Sequence, residues 1–209
     1  MEPTVSRIVQ NNAKKRRRLS PEQRRRELLE AAIAVFARLG VGRAGHSQVA
    51  EQAGCAVSTV FVYFPSRESL VEAVVSEVAD FLLEMAESVH GRGGPAPEVV
   101  HRHARAFVEG VTRRPDVARV WLDYSTAVGE DTWPRYLELQ EEIVAIMRDT
   151  IERGQAEGSV AADVDADDDA RLVVGSAHML VQMKFAGRPD DQVEHFLNTL
   201  VGVTMRPPA

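Results

Sequence analysis

The sequence predicts an all-α protein with two domains, and three observations support that prediction. Apolar residues recur at spacings of three and four along most of the 209 residues, without the alternation typical of strands. Serine caps, glycines and prolines divide this pattern into segments of helical length. The charge is also divided, since residues 1–66 hold 11 Lys and Arg against 5 Asp and Glu, whereas the remainder holds 14 against 26. We therefore expect a basic arm (1–19), a basic head domain (20–66) and an acidic body domain (67–209).

The first helix is predicted to begin after Ser20. This serine suits the N-cap position, Pro21 suits the first helical position, and Gln23 completes an S-x-x-Q capping box. Gly40 and Gly42 are expected to end the helix. Between these signals runs an apolar stripe at helical spacing, formed by Leu29, Ala32, Ile33, Phe36 and Leu39.

Two short helices joined by a tight turn are predicted in the segment GHSQVAEQAGCAVSTVFVYFP. The first spans Ser47 to Ala53, the turn residues 54–56 and the second Val57 to Tyr63. Pro65 prevents a longer second helix. On that helix Val57, Val60 and Phe61 are expected to share an apolar face, which directs Ser58 and Thr59 outward. This is the plan of a helix-turn-helix, whose second helix lies in the major groove of DNA.

The basic arm and the start of the second helix are further candidate DNA contacts. The run KKRRR ends the arm, and its Lys15, Arg16, Arg17 and Arg18 are expected to follow phosphates or to enter the minor groove. The alternative is a solvated tail. His46 and Ser47 lie at the entry of the helix predicted over Ser47 to Ala53, where free backbone N–H groups favour a phosphate. The alternative for His46 is a simple capping role.

The body domain is predicted to hold six helices. Ser66 is a candidate N-cap for the first, with Ser69 at the third position, and the acidic run 165–169 suits the start of a later helix because carboxylates complement the helix dipole. Gly154 and Gly158 are expected to close the helix that Pro134 opens on the apolar line Leu137, Ile143, Ile146, Met147 and Ile151. The other predicted helices span about 97–113, 116–127 and 190–205.

Several classes of function find no support in the sequence. No nucleophile–base motif, phosphate loop or metal-ligand spacing occurs, so we expect neither an enzyme nor a bound cofactor or metal. No run of about eighteen apolar residues is present, and no apolar segment follows the basic start, which argues against a membrane span and a signal peptide. One cysteine suits a reducing cytoplasm. A helical adaptor protein would leave the basic arm and the outward Ser58 and Thr59 unexplained.

A small pocket is a further candidate site, in the body domain. Its expected lining mixes apolar and polar groups, and the alternative is an ordinary core with a few paired polar side chains. Trp121 and Tyr124, three apart, can share a helix face. The candidate lining residues are Leu82, Trp121, Asp123, Tyr124, Gln140, Met147 and His178.

Three motifs in the head indicate a family. They are RLSP at 18–21, VFAR-x-G-x-GR-x-GH at 35–46 and STVF-x-YFP at 58–65, with weaker matches VWLDYS at 120–125, WP at 133–134 and IERG at 151–154. With these motifs the chain resembles the TetR-type regulators. Within them it is most similar to the master quorum-sensing regulators of the Vibrio LuxR/HapR type, and the resemblance covers most of the chain.

That resemblance implies a homodimer that binds double-stranded DNA at a partly palindromic operator. The last two long helices would pair with their copies, and the predicted interface residues are Val181, Phe196, Leu197, Leu200 and Val201. It also implies both repression and activation, with RNA polymerase as a further partner, and a pocket for a small apolar molecule. A local repressor of an efflux or catabolic operon, released by a ligand, is the alternative function.

The chain departs from this family in the predicted recognition helix. Relatives usually have an asparagine where this chain has Val62, and Val62 and Tyr63 complete the predicted DNA-binding set. A valine cannot hydrogen-bond a base edge, but it can contact a thymine methyl group. The operator preference is therefore expected to differ from that of the relatives, unless position 62 only packs against the DNA backbone.

Overall fold

The computed structural model describes residues 19–208. Within that range the backbone forms nine α-helices and no strand, which confirms the predicted all-α class. The helices are α1 (Pro21–Leu39), α2 (His46–Ala53), α3 (Val57–Tyr63), α4 (Arg67–His90), α5 (Ala96–Arg113), α6 (Pro115–Ser125), α7 (Trp133–Glu157), α8 (Ala166–Phe185) and α9 (Asp190–Thr204).

The head consists of α1, α2 and α3, and local signals fix its helix ends. Ser20 forms the predicted capping box with Gln23, and Gly40 ends α1 with a φ of 84°. Five stripe residues of α1 were predicted to pack inward, and four are buried while Leu39 is half-buried. Leu28 and Val35 join them, so the inward face of α1 is broader than predicted.

Helix α4 connects the head to the body. Ser66 caps it through the predicted reciprocal pair with Ser69. Its buried residues run from Leu70 near the head to His90 at the end of the helix, and one continuous hydrophobic core includes both Leu70 and Leu82. A shift of α4 would therefore be felt in both domains, because packed cores do not deform continuously.

The body packs α4 to α9 around two hydrophobic clusters, of which the second joins the start of α5 to α7 and α8. The prediction that Gly154 closes α7 is wrong. The helix continues to Glu157 and ends at Gly158, whose φ is 78°. Gly154 is instead buried inside α7, where its missing side chain admits Ala96.

The predicted apolar line of α7 is also only partly correct. Met147 and Ile151 are buried, but Leu137 is exposed and Leu139 and Val144 face the interior in its place. Pro115 follows the end of α5 and opens α6 as its first residue, a position that needs no backbone N–H. Asp165 caps α8 by accepting hydrogen bonds from the backbone of Asp167 and Asp168, which confirms a helix start at the acidic run. The domain boundaries at 19/20 and 66/67 stay a prediction.

Candidate nucleic-acid interface and body cavity

Helices α2 and α3 have the bounds predicted for the helix-turn-helix, apart from one residue at the start of α2. Gly54 adopts the left-handed conformation, with a φ of 61°, and its N–H bonds back to the carbonyls of Ala50 and Glu51. The N–H of Cys55 donates to the Ala50 carbonyl over 3.0 Å. This turn fixes the angle at which α3 leaves α2.

Helix α3 is held to the head by a single fully buried side chain, Val60. The prediction that Val57 and Phe61 share its buried face is wrong, because both are exposed. A helix of seven residues contacts the head along one edge only, and the next anchor is Phe64, which is buried just after the helix. Ser58 and Val62 are exposed on the remaining surface. The exposed fraction of Val62 is 74%, compared with 38% for Val57.

His46 has a structural position that neither sequence interpretation described. Its Nε2–H donates to the carbonyl oxygen of Phe64 over 2.7 Å, and its ring stacks on Phe61 at 3.9 Å between centroids. The side chain is buried, so it ties the start of α2 to the end of α3. The capping alternative is wrong, since Gly45 and not His46 is the N-cap residue of α2, and no side chain caps this helix. Only the backbone N–H of His46 is left for a phosphate.

The other predicted DNA contacts occupy different surroundings. Ser47 is exposed in the first turn of α2, and Thr59 and Tyr63 are half-buried on α3. The predicted arm residues Lys15 to Arg18 lie outside the described residues. Arg25, in the RRR run at 24–26, places its exposed guanidinium 5.2 Å from the centre of the Phe64 ring.

Asp123 lies at the junction of head and body and not in the pocket, so its predicted place in the lining is wrong. Its Oδ2 accepts a hydrogen bond from the backbone N–H of Val41 over 2.6 Å, and Arg67 donates to the Val41 carbonyl over 2.6 Å. The backbone N–H of Val41 is thereby satisfied by α6, and its carbonyl is satisfied by α4. Helix α6 thus contacts the loop that precedes α2.

Replacing Asp123 with alanine is expected to lower the free energy of unfolding by about 1–2 kcal/mol, because the buried Val41 N–H loses a charged acceptor. Urea unfolding measures this change. Asp116→Ala is the matched control, since Asp116 on the same helix makes only an exposed pair with Arg119 and its loss should stay within about 0.5 kcal/mol. Equal effects of the two substitutions would mean that the hydrogen bond between Asp123 and the Val41 N–H does not stabilise the fold.

A mostly apolar cavity of about 50 Å³ lies between α4, α5, α6, α7 and α8. Of the predicted lining residues, Leu82, Trp121 and Gln140 line it. Tyr136, Leu139 and Ile143 of α7, together with Val173, Ala177 and Leu180 of α8, supply much of the remaining wall. The space holds a few waters, so a larger molecule would need the walls to move.

Three other predicted lining residues pack behind this wall. Met147 belongs to the second hydrophobic cluster. His178 stacks on Trp121 at 4.4 Å, and its Nε2 shares a hydrogen bond with the Ser125 hydroxyl at 2.9 Å. Tyr124 is fully buried against Tyr136, and burial raises the pKa of its phenol. Apolar and aromatic spacing cannot distinguish a cavity wall from the layer behind it.

Sequence reasoning missed His103, which lines the cavity. Its Nδ1 shares a hydrogen bond with His90 Nε2 at 3.2 Å, and His90 Nδ1 does so with Thr150 Oγ1 at 2.6 Å. Burial lowers the pKa of His90 to about 4 and that of His103 to about 3, with the nearby Arg153 adding to the effect on His90. Both rings are therefore neutral at pH 7. The sequence signal was the place of His103 in the apolar stripe of α5.

The predicted dimer residues divide into two groups. Val181 and Leu197 are fully buried within the chain, so they cannot form an interface and their prediction is wrong. Phe196, Leu200 and Val201 are half-buried. The outer faces of α8 and α9 instead expose other large apolar side chains, namely Leu172, Met179, Phe185 and Val203. We call Leu172, Met179 and Val203 the outer apolar face.

Within residues 19–208 no group of three or more His, Cys, Asp or Glu side chains is placed to hold a metal ion. Over the same range, no helix combines the length and apolar character needed to cross a membrane.

Comparison with known proteins gives two family matches. The profile of bacterial regulatory proteins of the tetR family matches residues 28–74, and that of the tetracyclin repressor-like C-terminal domain matches residues 93–182. The transcriptional regulator LuxR of Vibrio harveyi is 37% identical over 127 residues, which covers 58% of this chain and 60% of that protein. The match thus spans less than two thirds of that relative.

Two further similarities cover more of the chain. The transcriptional repressor KstR2 of Mycolicibacterium smegmatis is 24% identical over 170 residues, covering 81% of this chain and 83% of that protein. The crystal structure of the regulator FadR from Bacillus subtilis, in complex with stearoyl-CoA, superposes with a TM-score of 0.73 at 17% identity. It covers 87% of this chain and 97% of that one, which shows a shared fold.

Proposed function

The chain belongs to the TetR family of bacterial regulatory proteins and is a DNA-binding transcriptional regulator, and we propose that it binds a partly palindromic operator as a homodimer. The observation that carries this proposal is the exposed surface of α3. Val60 and Phe64 anchor this helix, while Ser58 and Val62 stay accessible at its outer side. A helix presented in this way fits the major groove.

The proposed contacts at the DNA follow from these positions. Ser58 and Val62, four residues apart, lie on the same side of α3 and would meet base edges. Thr59 and Tyr63, half-buried, would contact sugar or phosphate, as would Ser47 at the start of α2. The backbone N–H of His46 would add a phosphate contact.

Replacing Val62 with asparagine is expected to change the preferred base at one position of each half-site. The asparagine amide can form two hydrogen bonds with the edge of an adenine, and such a bidentate contact discriminates against the other bases by about 1–3 kcal/mol. Valine offers only an apolar contact with a methyl group. Selection of random operators by both proteins measures the change. Val128→Asn is the control, because Val128 is equally accessible but lies in the loop between α6 and α7. Unchanged base preferences would mean that Val62 packs against the DNA backbone.

Removing two arginines of the arm is expected to weaken DNA binding and to flatten its salt dependence. The double variant is Arg16→Ala, Arg18→Ala. The slope of log K against log salt should become shallower by about 0.9 for every phosphate that the variant no longer neutralises. Arg92→Ala, Arg188→Ala removes the same charge from exposed sites in the body and should leave the slope unchanged. An unaltered slope in the arm variant would favour the solvated tail.

We propose, more specifically, a master quorum-sensing regulator in the cytoplasm, whose abundance is the signal and which both represses and activates. The 37% identity to the Vibrio harveyi LuxR over 127 residues supports it. Activation would require a contact with RNA polymerase. The second candidate is a local repressor released by a ligand, and it is favoured by the cavity beside Trp121 and by the likeness to a fold that binds stearoyl-CoA.

Genome-wide mapping of the bound DNA in living cells tests these functions. A global regulator should occupy dozens of sites, and more of them as cell density rises. A local repressor should occupy one or two sites beside its own gene and leave them when its ligand is supplied. Absence of any sequence-specific site would contradict both candidates.

A further inference from the structure

The exposed side of α3 is mostly apolar. The side chains exposed on this helix are Val57, Ser58, Phe61 and Val62, and all but the serine are hydrophobic. With 3.6 residues per turn, the four lie within about 140° of one another around the helix axis, so they form one continuous face. We call these four residues the recognition face.

The residue types on this face limit what it can recognise in DNA. Most specific hydrogen bonds to base edges in the major groove come from Arg, Lys, Asn, Gln, Asp or Glu. The sequence of α3 is VSTVFVY and contains none of these residue types. Ser58 supplies a hydroxyl, which can bond to several different bases and therefore discriminates poorly between them. The remaining specific feature of the major groove is the C5 methyl group of thymine, which apolar side chains contact.

The ring of Phe61 has a defined orientation on this face. It stacks on the His46 ring, with 3.9 Å between the centroids and 7° between the ring planes. His46 is itself buried and donates from Nε2 to the Phe64 carbonyl over 2.7 Å, so it cannot turn without losing that bond. One face of the Phe61 ring is therefore covered, while 47% of the side chain stays exposed. An apolar ring that is already oriented loses little conformational freedom when it binds.

We propose that Val57, Phe61 and Val62 together recognise thymine methyl groups in each half-site, and that His46 is a positioning residue for Phe61. This inference rests on the proposed function, in which α3 lies in the major groove of an operator. It extends the methyl contact available to Val62 to a surface of three side chains. The base preference of α3 then depends on methyl groups more than on hydrogen bonds.

Replacing thymine with deoxyuridine in the operator tests the proposal. Uracil lacks only the C5 methyl group, and it presents the same groups as thymine in the minor groove, so contacts of the arm there are unaffected. The operator is obtained by selection from random DNA with the full chain, and symmetry-related thymines are then replaced in pairs. Each contacted methyl group should contribute about fourfold to the affinity, the value for one buried CH₂ group, so a pair should contribute about 15-fold.

Double-mutant cycles between side chains and DNA methyl groups assign the contacts. The quantity compared is the affinity for the thymine operator divided by that for the uracil operator. Val57→Ala, Phe61→Ala and Val62→Ala should each bring this ratio close to 1 at the positions that the residue contacts, and leave it unchanged elsewhere. Val128→Ala, an exposed valine in the loop between α6 and α7, is the control and should keep every ratio.

His46→Gln tests the positioning role. Glutamine retains an N–H donor for the Phe64 carbonyl but has no ring on which Phe61 can stack. The thymine-to-uracil ratio should therefore fall only at the positions that Phe61→Ala identifies. Thermal unfolding shows whether the variant is folded. A variant that weakens binding to thymine and uracil operators by the same factor would show that His46 only supports the fold, which overturns its positioning role.

5-Methylcytosine tests the same contacts as a gain of affinity. Cytosine in place of a contacted thymine lacks the methyl group, and methylation at C5 restores it without changing the hydrogen-bonding groups of cytosine. Binding should tighten about fourfold for each cytosine that is methylated at a contacted position. Methylation at thymine positions where deoxyuridine had no effect is the control and should change nothing.

The outcomes separate this inference from the proposed function. Failure to select any sequence-specific operator would overturn both. A selected operator that binds equally well with deoxyuridine at every thymine would overturn the inference, while the proposed function would stand. Loss of affinity with deoxyuridine that is the same in the wild type and in all three alanine variants would also overturn it, because the methyl groups would then act through the shape of the DNA.

Discussion

Replacing Met179 with aspartate is expected to convert the proposed homodimer into monomers and to lower operator affinity at least about a hundredfold. Met179 is 47% exposed on α8 and lies seven residues after Leu172, on the same side of the helix. Gly175 lies between them with open space around it, which allows a second helix to approach closely. Val203 on α9 extends the outer apolar face.

The size of the effect follows from the symmetry of a homodimer. In an interface between identical faces each substitution occurs twice, so two uncompensated charges would be buried. Each would cost about 3–5 kcal/mol, which is enough to dissociate a dimer of micromolar or nanomolar affinity. A monomer has one α3, so it binds only half of the operator.

Light scattering after size-exclusion chromatography at micromolar concentration measures the oligomeric state. Val128→Asp is the control, since Val128 is 72% exposed but belongs to the loop between α6 and α7 and not to α8 or α9, and this variant should remain a dimer. Leu197→Asp is unsuitable, because Leu197 is buried within the chain and its variant would unfold. A monomeric wild-type protein, or a dimeric Met179→Asp variant, would contradict the assignment of the interface.

Local chemistry made much of the fold predictable from the sequence. Ser20 with Gln23 and Ser66 with Ser69 are capping pairs within four residues, and Gly54 forms its turn by itself. Each signal depends on atoms that are close in the chain, so no knowledge of the tertiary structure is needed to interpret it. In the same way Gly54 marks the end of α2, and Pro65 limits the length of α3.

Contacts between distant segments could not be predicted in the same way. Asp123 bonds the backbone of Val41, 82 residues away, and His90 meets Thr150 60 residues away. Periodicity predicts that a residue faces inward without saying which side chain it will meet. For the same reason the sequence does not distinguish Leu197 from Met179, since both are apolar residues of helices. Leu197 is buried in the core, whereas Met179 belongs to the outer apolar face.

Gly154 shows how a local rule fails where two segments approach closely. Glycine predicts a helix end, but here the helix passes through it because α5 begins against it. A Cβ atom on residue 154 would lie 2.5 Å from Cβ of Ala96 and 2.9 Å from Cγ2 of Val160. Neither neighbour is the end of a flexible side chain, so backbone would have to move.

Replacing Gly154 with alanine is therefore expected to lower the free energy of unfolding by about 2 kcal/mol, although alanine is the better helix former by about 1 kcal/mol. The carbonyl of Gly154 accepts from the N–H groups of Ser159 and Val160 at 2.8 and 3.1 Å, so the turn after α7 cannot retreat without breaking these bonds. Urea unfolding at one protein concentration measures the change, since a dimer's stability depends on concentration.

Two further variants separate the steric clash from any general effect of alanine at a buried glycine. Gly110 in α5 is also buried, but a Cβ there would meet Phe81 at an ordinary 3.5 Å, so Gly110→Ala should be neutral or up to about 1 kcal/mol more stable. Ala96→Gly removes the nearest obstructing atom, and in the Gly154→Ala background it should recover part of the missing stability. Two results would contradict this explanation. One is a Gly154→Ala variant as stable as Gly110→Ala; the other is a double variant in which Ala96→Gly lowers the stability of Gly154→Ala as much as it lowers that of the wild type. Either would mean that the close approach of α5 and α7 is not what requires glycine at position 154.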